Sequence, residues 1–459
     1  MIGYLVKSND FCAVFADYNR VIVQFVPFSP IITGKFYADW LFFRIYFAIF
    51  VEKFTDMELF PRPQYIEKIA GLINRGMMLI LVGQRRVGKS KVLELFMDWL
   101  KRNRPGANVV YINKEYQEFR EIVTAEQLYD YAVARLPEGG DNYILIDEVQ
   151  EIENYETALR SFHAENRCQV IATGSNAYIF SSELGTRLAG RYIEIKIYNL
   201  SYLEFLRFHD MEDSDEALLH YLIVGGLPGL LAFKPEEKSQ INDYLEGVYN
   251  TILVKDIVSR EKLRNVTQLE NILRFVADNI GKPLSVANIV RYMASKSEKI
   301  SDETVSCYLR YLRDAFLAVP IRRFDIHGKM LLESNNKYYF SDHGIRNYLC
   351  GWDIRGSIEK IMENVVFNHL RRGGFDVSVG ILRAGEVDFV ATKADKRIYV
   401  QVTYLLASDD TVKREFGNLA AINDNYPKYV VSMDPVGGGF SDYPGIEHVN
   451  LRDFLKTDF

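Results

Sequence analysis

Met77-Met78-Leu79-Ile80-Leu81-Val82, followed by Gly83-Gln84-Arg85-Arg86-Val87-Gly88-Lys89-Ser90, is the stretch on which the reading of this chain turns. The first six residues are a short apolar run of the kind that forms a buried parallel strand. The next eight satisfy G-x-x-x-x-G-K-[ST], and residues 91–100 then carry Val92, Leu95, Phe96 and Trp99 at helical spacing. A strand, a glycine-bounded loop and a helix in that order make a phosphate cradle. The glycines let the backbone wrap with its N–H groups inward, and the helix N-terminus adds a partial positive charge. Gly83, Gln84, Arg85, Arg86, Val87, Gly88, Lys89 and Ser90 are therefore expected to hold ATP. Lys89 is expected to bridge the β- and γ-phosphates, and Ser90 to give its hydroxyl to Mg2+.

Further strands are predicted over residues 108–113, 143–146 and 169–172, separated by helices near 125–136 and 154–165. This alternation predicts an α/β fold whose parallel sheet is covered on both faces. The strand Tyr143-Ile144-Leu145-Ile146 runs into Asp147-Glu148. In a phosphate-binding domain, Asp147 is placed beside the metal, through a water, and Glu148 is placed to polarise an attacking water. The paired acid points to hydrolysis as well as binding. The next strand ends in Ala172-Thr173-Gly174-Ser175-Asn176, where Ser175 or Asn176 either senses the terminal phosphate or caps the following helix. Arg187 and Arg191 are candidates for a guanidinium that stabilises the transferring phosphoryl group, against the ordinary alternative of solvated arginines.

Working outward, residues 57–200 read as the nucleotide-binding core and 201–264 as a helical lid or connector. Residues 265–340 read as a winged helix. Its helices lie near 267–279, from Ser285, and from an N-cap at Ser301 and Asp302, and its ribbon pairs 319–324 with 337–340. Residues 341–459 read as a small α/β domain. Residues 1–56 stand apart. The stretch 36–51, FYADWLFFRIYFAIFV, is interrupted by Asp39 and Arg44 and is shorter than the ~20 apolar residues of a spanning helix. No signal-peptide pattern is visible. Two readings stand: an appendage that packs on a core or a membrane surface, or a stretch upstream of the true start. The second is favoured because Met57 opens MELFPRPQYIEKIAGLI, a natural entry to the core.

Composition bounds these readings. With 459 residues, two or three domains are expected. A net charge of -6 excludes coating of nucleic acid by bulk electrostatics and leaves room only for a local basic face. Cys12, Cys168, Cys307 and Cys350 lack the spacing of a zinc site or a disulfide framework, which fits a reducing cytoplasm.

GQRRVGKS, LIDEVQ, ATGSNA, LAGRYIEIKIYNLSYLEF and the GGLP of residues 225–228 together resemble the AAA-type P-loop ATPases of the STAND class, and within it the MNS-like clade. The resemblance covers roughly residues 57–459 and is most specific in the nucleotide-binding half. It implies a C-terminal winged helix followed by a domain of the restriction-endonuclease, or PD-(D/E)XK, type. On the third helix of the winged-helix region, Ser306, Arg310 and Arg313 lie opposite the buried side, and the ribbon offers Arg322, Arg323, His327 and Lys329. These residues are candidates for DNA phosphates. The alternatives are packing between domains and contact with a protein partner. A homo-oligomer is compatible with the sequence.

In the last domain, Glu363 on a helix, Asp388 in Gly385-Glu386-Val387-Asp388 and Gln401 in Tyr399-Val400-Gln401-Val402-Thr403 match the nuclease-like pattern. Thr403 stands where the resemblance expects a lysine that orients or activates water. The expectation is therefore a nuclease-like fold without efficient cleavage.

Overall fold

The computed structural model describes residues 60–177, 188, 190–263, 265–352, 354–383, 385–435 and 442–459, apart from the side chains of 333 and 334, and the backbone of 14–17 and 20–23. The aromatic stretch at 36–51, Met57 and Arg187 lie outside the described residues. Strands β1 (Val14–Asp17) and β2 (Arg20–Val23) pair antiparallel in a unit of their own. Residues 60–459 form the second unit.

That unit opens with α1 (Pro63–Leu72), whose proline occupies the first turn, where an N–H has no helical partner in any case. Then follow β3 (Met78–Val82), α2 (Lys89–Asn103), β4 (Asn108–Asn113), α3 (Ala125–Val133), β5 (Asn142–Asp147), α4 (Tyr155–Ala164), β6 (Gln169–Gly174) and β7 (Tyr192–Lys196). The five strands are parallel, in the order β4-β5-β6-β3-β7. Alternate side chains of β3 and β5 feed two cores: Leu79, Leu81, Tyr143 and Leu145 on one face, and Ile80, Val82, Ile144 and Ile146 on the other. This is the doubly covered α/β sheet that the alternation predicted. Since the strands are parallel, their C-terminal ends at Val82, Asp147 and Gly174 lie along one edge, where loops can meet a ligand.

The connector contains α5 (Tyr202–Phe208), α6 (Asp215–Val224) and α7 (Lys238–Thr251), the last running directly into an eight-residue π-helical segment, Ile252–Ser259. Three helices follow: α8 (Val266–Asp278), α9 (Val286–Ser295) and α10 (Asp302–Asp314), each N-capped by a side chain, from Asn265, Ser285 and Ser301 respectively. Strands β8 (Ala318–Asp325) and β9 (Met330–Phe340) form the expected antiparallel ribbon. The chain ends with α11 (His343–Leu349), α12 (Ile358–Arg372), β10 (Asp376–Ile381), β11 (Glu386–Lys393), β12 (Lys396–Val402), α13 (Asp409–Ala420), β13 (Lys428–Ser432), β14 (Ile446–Asn450) and α14 (Leu451–Phe454).

The boundary expected at residue 340 is not a break in the structure. β8 pairs on its other side with β10 in parallel, Arg323 opposite Val379 and Phe324 opposite Gly380, so the ribbon belongs to a seven-stranded sheet ordered β14-β13-β12-β11-β10-β8-β9. A free wing would leave the second edge of β8 unpaired, and β10 satisfies it. One core also runs from Tyr65 through the connector and the three helices to Leu455.

The elbow between β9 and α11 is pinned to the turn after α6. Asp342 Oδ2 accepts from the Gly226 N–H at 2.9 Å and from Asn199 Nδ2 at 2.6 Å, while its Oδ1 caps α11 at Ile345 N. Asn347 donates to the Leu222 and Ile223 carbonyls at 2.9 and 2.8 Å. A Cβ on Gly344 would collide with the Val224 carbonyl, so the two segments touch backbone to backbone.

Candidate functional site

The loop between β3 and α2 closes tightly on itself. A Cβ on Gly83 would strike the Ile197 carbonyl, and Gly88 has φ of 94°, a left-handed value that suits glycine. Lys89 is buried, with Nζ donating to the carbonyls of Gly83 (3.0 Å) and Gln84 (3.1 Å). Burial holds its pKa below the usual lysine range, against the charges of Glu148 and Asp147. A phosphate anion would relieve that penalty. Both amide atoms of Gln84 are buried without a hydrogen-bond partner. Arg86 is exposed, with φ of 70°, and Arg85 turns inward to Asp256.

Asp147 and Glu148 end β5 one strand away. Burial pushes the Asp147 carboxyl above its ordinary value, while the neighbouring hydroxyls of Thr173 and Ser90 pull it down. Its Oδ1 accepts from Thr173 Oγ1 at 2.5 Å; its Oδ2 is buried and has no partner. An orphaned carboxylate oxygen beside a serine hydroxyl is a donor set suited to Mg2+, so the residues present fit the metal. Glu148 adopts φ 56° and ψ 54°, a costly conformation for a non-glycine residue. Its N–H donates to Thr173 Oγ1 at 2.9 Å, and its carboxylate is held by the Gln150 amide. Ser175 and Asn176 are buried at the end of β6; Ser175 Oγ lies 3.5 Å from Gln150 Nε2, and Asn176 Nδ2 donates to the Asp256 carbonyl at 3.4 Å.

The structure therefore gathers Lys89, Ser90, Asp147, Glu148, Ser175 and Asn176 at one sheet edge. It does not bring Arg191 there. Tyr192 is level with Met78 at the start of β3, so Arg191 lies at the opposite end of the strand from the loop, roughly 15 Å away at ~3.3 Å per residue.

Three residues of this site were missed in the sequence. Thr173 holds both acids at once; its signal was its position, level with Asp147 on the next strand. Gln150 braces Glu148 and carries a buried, unpartnered Oε1. Arg62 buttresses the loop from behind, with Nη1 to the Val87 carbonyl at 3.0 Å and Nε to Glu204 at 2.8 Å. Burial would raise the Glu204 pKa, yet Arg62 brings it down to about 2. Gln150 ends the LIDEVQ motif, which was read only for its two acids, and Arg62 belongs to no motif that could have marked it.

A second polar cluster lies in the seven-stranded sheet. Asp388 Oδ2 accepts from Val402 N at 2.9 Å, and Glu363 Oε2 accepts from Tyr339 OH at 2.7 Å. A lysine comes to these acids from β9: Lys337, 3 % exposed, is ion-paired with Glu386 and has Nζ 3.7 Å from Asp388 Oδ1. Burial pushes Asp388 up to about 6 despite Lys337, and desolvation with the Asp388 charge raises Glu363 well above its ordinary range. Lys337 reaches these acids because the sheet joins β9 to the strands that carry them. Among the described residues, no three acidic, imidazole or thiol groups stand arranged to hold a metal. Of the basic residues considered for DNA, Ser306, Arg310 and Arg313 share the exposed side of α10, with Arg313 paired to Asp314 at 2.8 Å. Arg323 is half-buried within the sheet.

The AAA domain family matches residues 75–206, and the family described as a domain of unknown function, DUF8612, matches residues 215–355. The chain is 32% identical over 406 residues to an uncharacterized protein of Haemophilus influenzae, covering 86% of this chain and 98% of that one. It is 26% identical over 366 residues to the uncharacterized protein MJ1544 of Methanocaldococcus jannaschii, covering 74% and 79%. Among solved structures it is similar to the Walker-type ATPase PABY2304 of Pyrococcus abyssi, at 18% identity and a TM-score of 0.46, over 63% of this chain and 96% of that one. The chain therefore belongs to the family of the Haemophilus influenzae protein, and its residues 75–206 are a P-loop ATPase domain of the AAA type.

Proposed function

We propose that this chain is a Mg2+-dependent ATPase that acts as a nucleotide-controlled switch, its connector transmitting the state of the phosphate site to the segments beyond residue 265. The observation that carries the reading is the convergence of Lys89, Ser90, Asp147 and Glu148 on one sheet edge around buried polar atoms without partners. Gly83–Ser90 hold the phosphates, Ser90 and Asp147 hold the metal, and Glu148, kept in place by Thr173 and Gln150, polarises water. Mg2+ held there would neutralise charge on the phosphates. The switch is supported by proximity: Pro228 lies so near Gly88 that an added Cβ there would be 3.9 Å from Pro228 Cγ, and the turn carrying Pro228 is bonded through Gly226 to Asp342. Measured as phosphate release, Glu148→Gln is expected to bind ATP and lose turnover; turnover equal to the parent would remove Glu148 from this role.

The STAND-class and MNS-like placement, the cytoplasmic location and a DNA-contacting winged helix are parts of the same proposal. Ser306 and Arg310 on the exposed side of α10 support a DNA partner. The test is a steep salt dependence of binding that Arg310→Ala softens. No helix among the described residues is long and apolar enough to cross a membrane.

A second reading, phosphodiester cleavage in the last segment, is favoured by Lys337, which stands among Glu386, Asp388 and the Glu363 side. Plasmid incubated with Mg2+ or Mn2+ tests it: cleavage lost in both Asp388→Ala and Lys337→Met proteins that still turn over ATP would establish it, and an intact plasmid would dismiss it.

A further inference from the structure

The π-helical segment Ile252–Ser259 has no place in the site so far, and π turns are rare overall but frequent at functional sites. Its buried side carries Ile252, Leu253, Ile257 and one charged residue, Asp256. Asp256 reaches the middle of the phosphate loop. Arg85 Nη2 donates to Asp256 Oδ1 at 2.8 Å and Arg85 Nε to Oδ2 at 3.0 Å, a bidentate pair with both side chains largely buried. The Asp256 carbonyl also accepts from Asn176 at the end of β6. A single residue of the connector thus touches both the phosphate loop and the turn after β6.

The same guanidinium feels other acids besides Asp256. Glu148 and Glu115 act on its charge alongside Asp256, and Arg85 Nη1 lies 4.0 Å from Glu115 Oε1. Arg85 is a residue of the phosphate loop itself, Gly83–Ser90, where the phosphates of ATP are expected. Carboxylate and phosphate are the two anions a planar guanidinium grips in bidentate fashion, and it cannot grip both fully at once.

We propose that Asp256 and the γ-phosphate of ATP compete for Arg85, so that the π-helical segment is held to the phosphate loop in the ADP complex and released in the ATP complex. This rests on the reading of the site as one for Mg·ATP. Asp256 is a positioning residue: it acts on nucleotide through Arg85. A ligand shifts such an equilibrium only through a difference in affinity between the two states, and here that difference is the γ-phosphate's claim on one side chain.

The test is the affinity of the full chain for ATP and ADP, by calorimetry with Mg2+, in the parent, Asp256→Asn, Asp256→Glu and the double variant Arg85→Gln/Asp256→Asn. Asp256→Asn is expected to tighten ATP about tenfold while ADP stays within about twofold, the size of an ordinary coupling. Asp256→Glu should return to the parent ratio, and the double variant, which lacks both charges and leaves no buried ion unpaired, should lose the gain. An equal shift for both nucleotides, or the same gain in the double variant, overturns the competition. A parent that binds ATP without hydrolysing it overturns the ATPase reading and leaves this proposal standing; a parent that binds neither nucleotide overturns both.

Discussion

Lys89 and Lys337 are both buried lysines facing a pair of acids, and they are held in opposite ways. Lys89 is bonded to loop carbonyls six and five residues back in its own motif, with burial keeping its pKa low; Lys337 is locked to Glu386 and Asp388 and its pKa is raised, their charges outweighing burial. One cation is committed only to neutral carbonyls and is available to an anionic ligand. The other is already neutralised by protein. A buried lysine thus reports a binding site in the first place and a structural or catalytic pairing in the second, and only its partners tell which.

The sharpest way to break this comparison is to replace each lysine by methionine. Lys89→Met should lower ATP turnover by about 10²–10³-fold, the cost of losing one preorganised donor, with a small change in melting temperature. Lys337→Met should leave ATP turnover near the parent value and destabilise the fold by about 3–5 kcal/mol, because it strands Glu386 and Asp388. Urea denaturation and phosphate release separate the two. A stable Lys337→Met protein would mean the acids find solvent or protons without it.

The acids themselves sharpen the contrast through pH. Asp388, pushed up to about 6, keeps its proton in the fold at pH values where the unfolded chain, near 3.8, has lost it. Its contribution to stability is therefore present below about 4 and lost as pH rises to about 6. Glu204, brought down to about 2 by Arg62, behaves oppositely: its contribution is present above its unfolded value of 4.5 and lost as pH falls toward 2. Urea midpoints across pH 3 to 7 should show the first slope vanish in Asp388→Asn and the second in Glu204→Gln. The smallest effect is expected from Arg191→Ala, whose turnover should stay within about twofold of the parent, since Arg191 lies at the far end of β3. A large loss there would call for contact with the site of another copy.

The nucleotide-binding half was largely legible because its signals are local. Residues 83–90 are one loop, Asp147 and Glu148 end one strand, and the strands around them read as short apolar runs. Caps at Ser285 and Ser301 marked helix starts in the same way. The rest was not legible for a common reason. Thr173, Gln150, Arg62, Asp256 and Lys337 are defined by neighbours 2 to 171 positions away in the chain, and no spacing rule joins them. Lys337 in particular was read only as the start of a ribbon strand, since the sequence does not tell that β8 takes a second partner.

By itself, the sequence determined that this chain contains a phosphate loop, two acids at the end of a parallel strand, and helices punctuated by caps, since backbone geometry and hydrophobic period act over a few residues. Only the tertiary structure decided that the ribbon joins the last segment in one sheet, that Arg191 lies away from the loop while Arg85 is claimed by Asp256, and that a lysine reaches Asp388 from β9. Those outcomes depend on which strand edges find partners and which charges are buried together, and burial is a property of the folded whole.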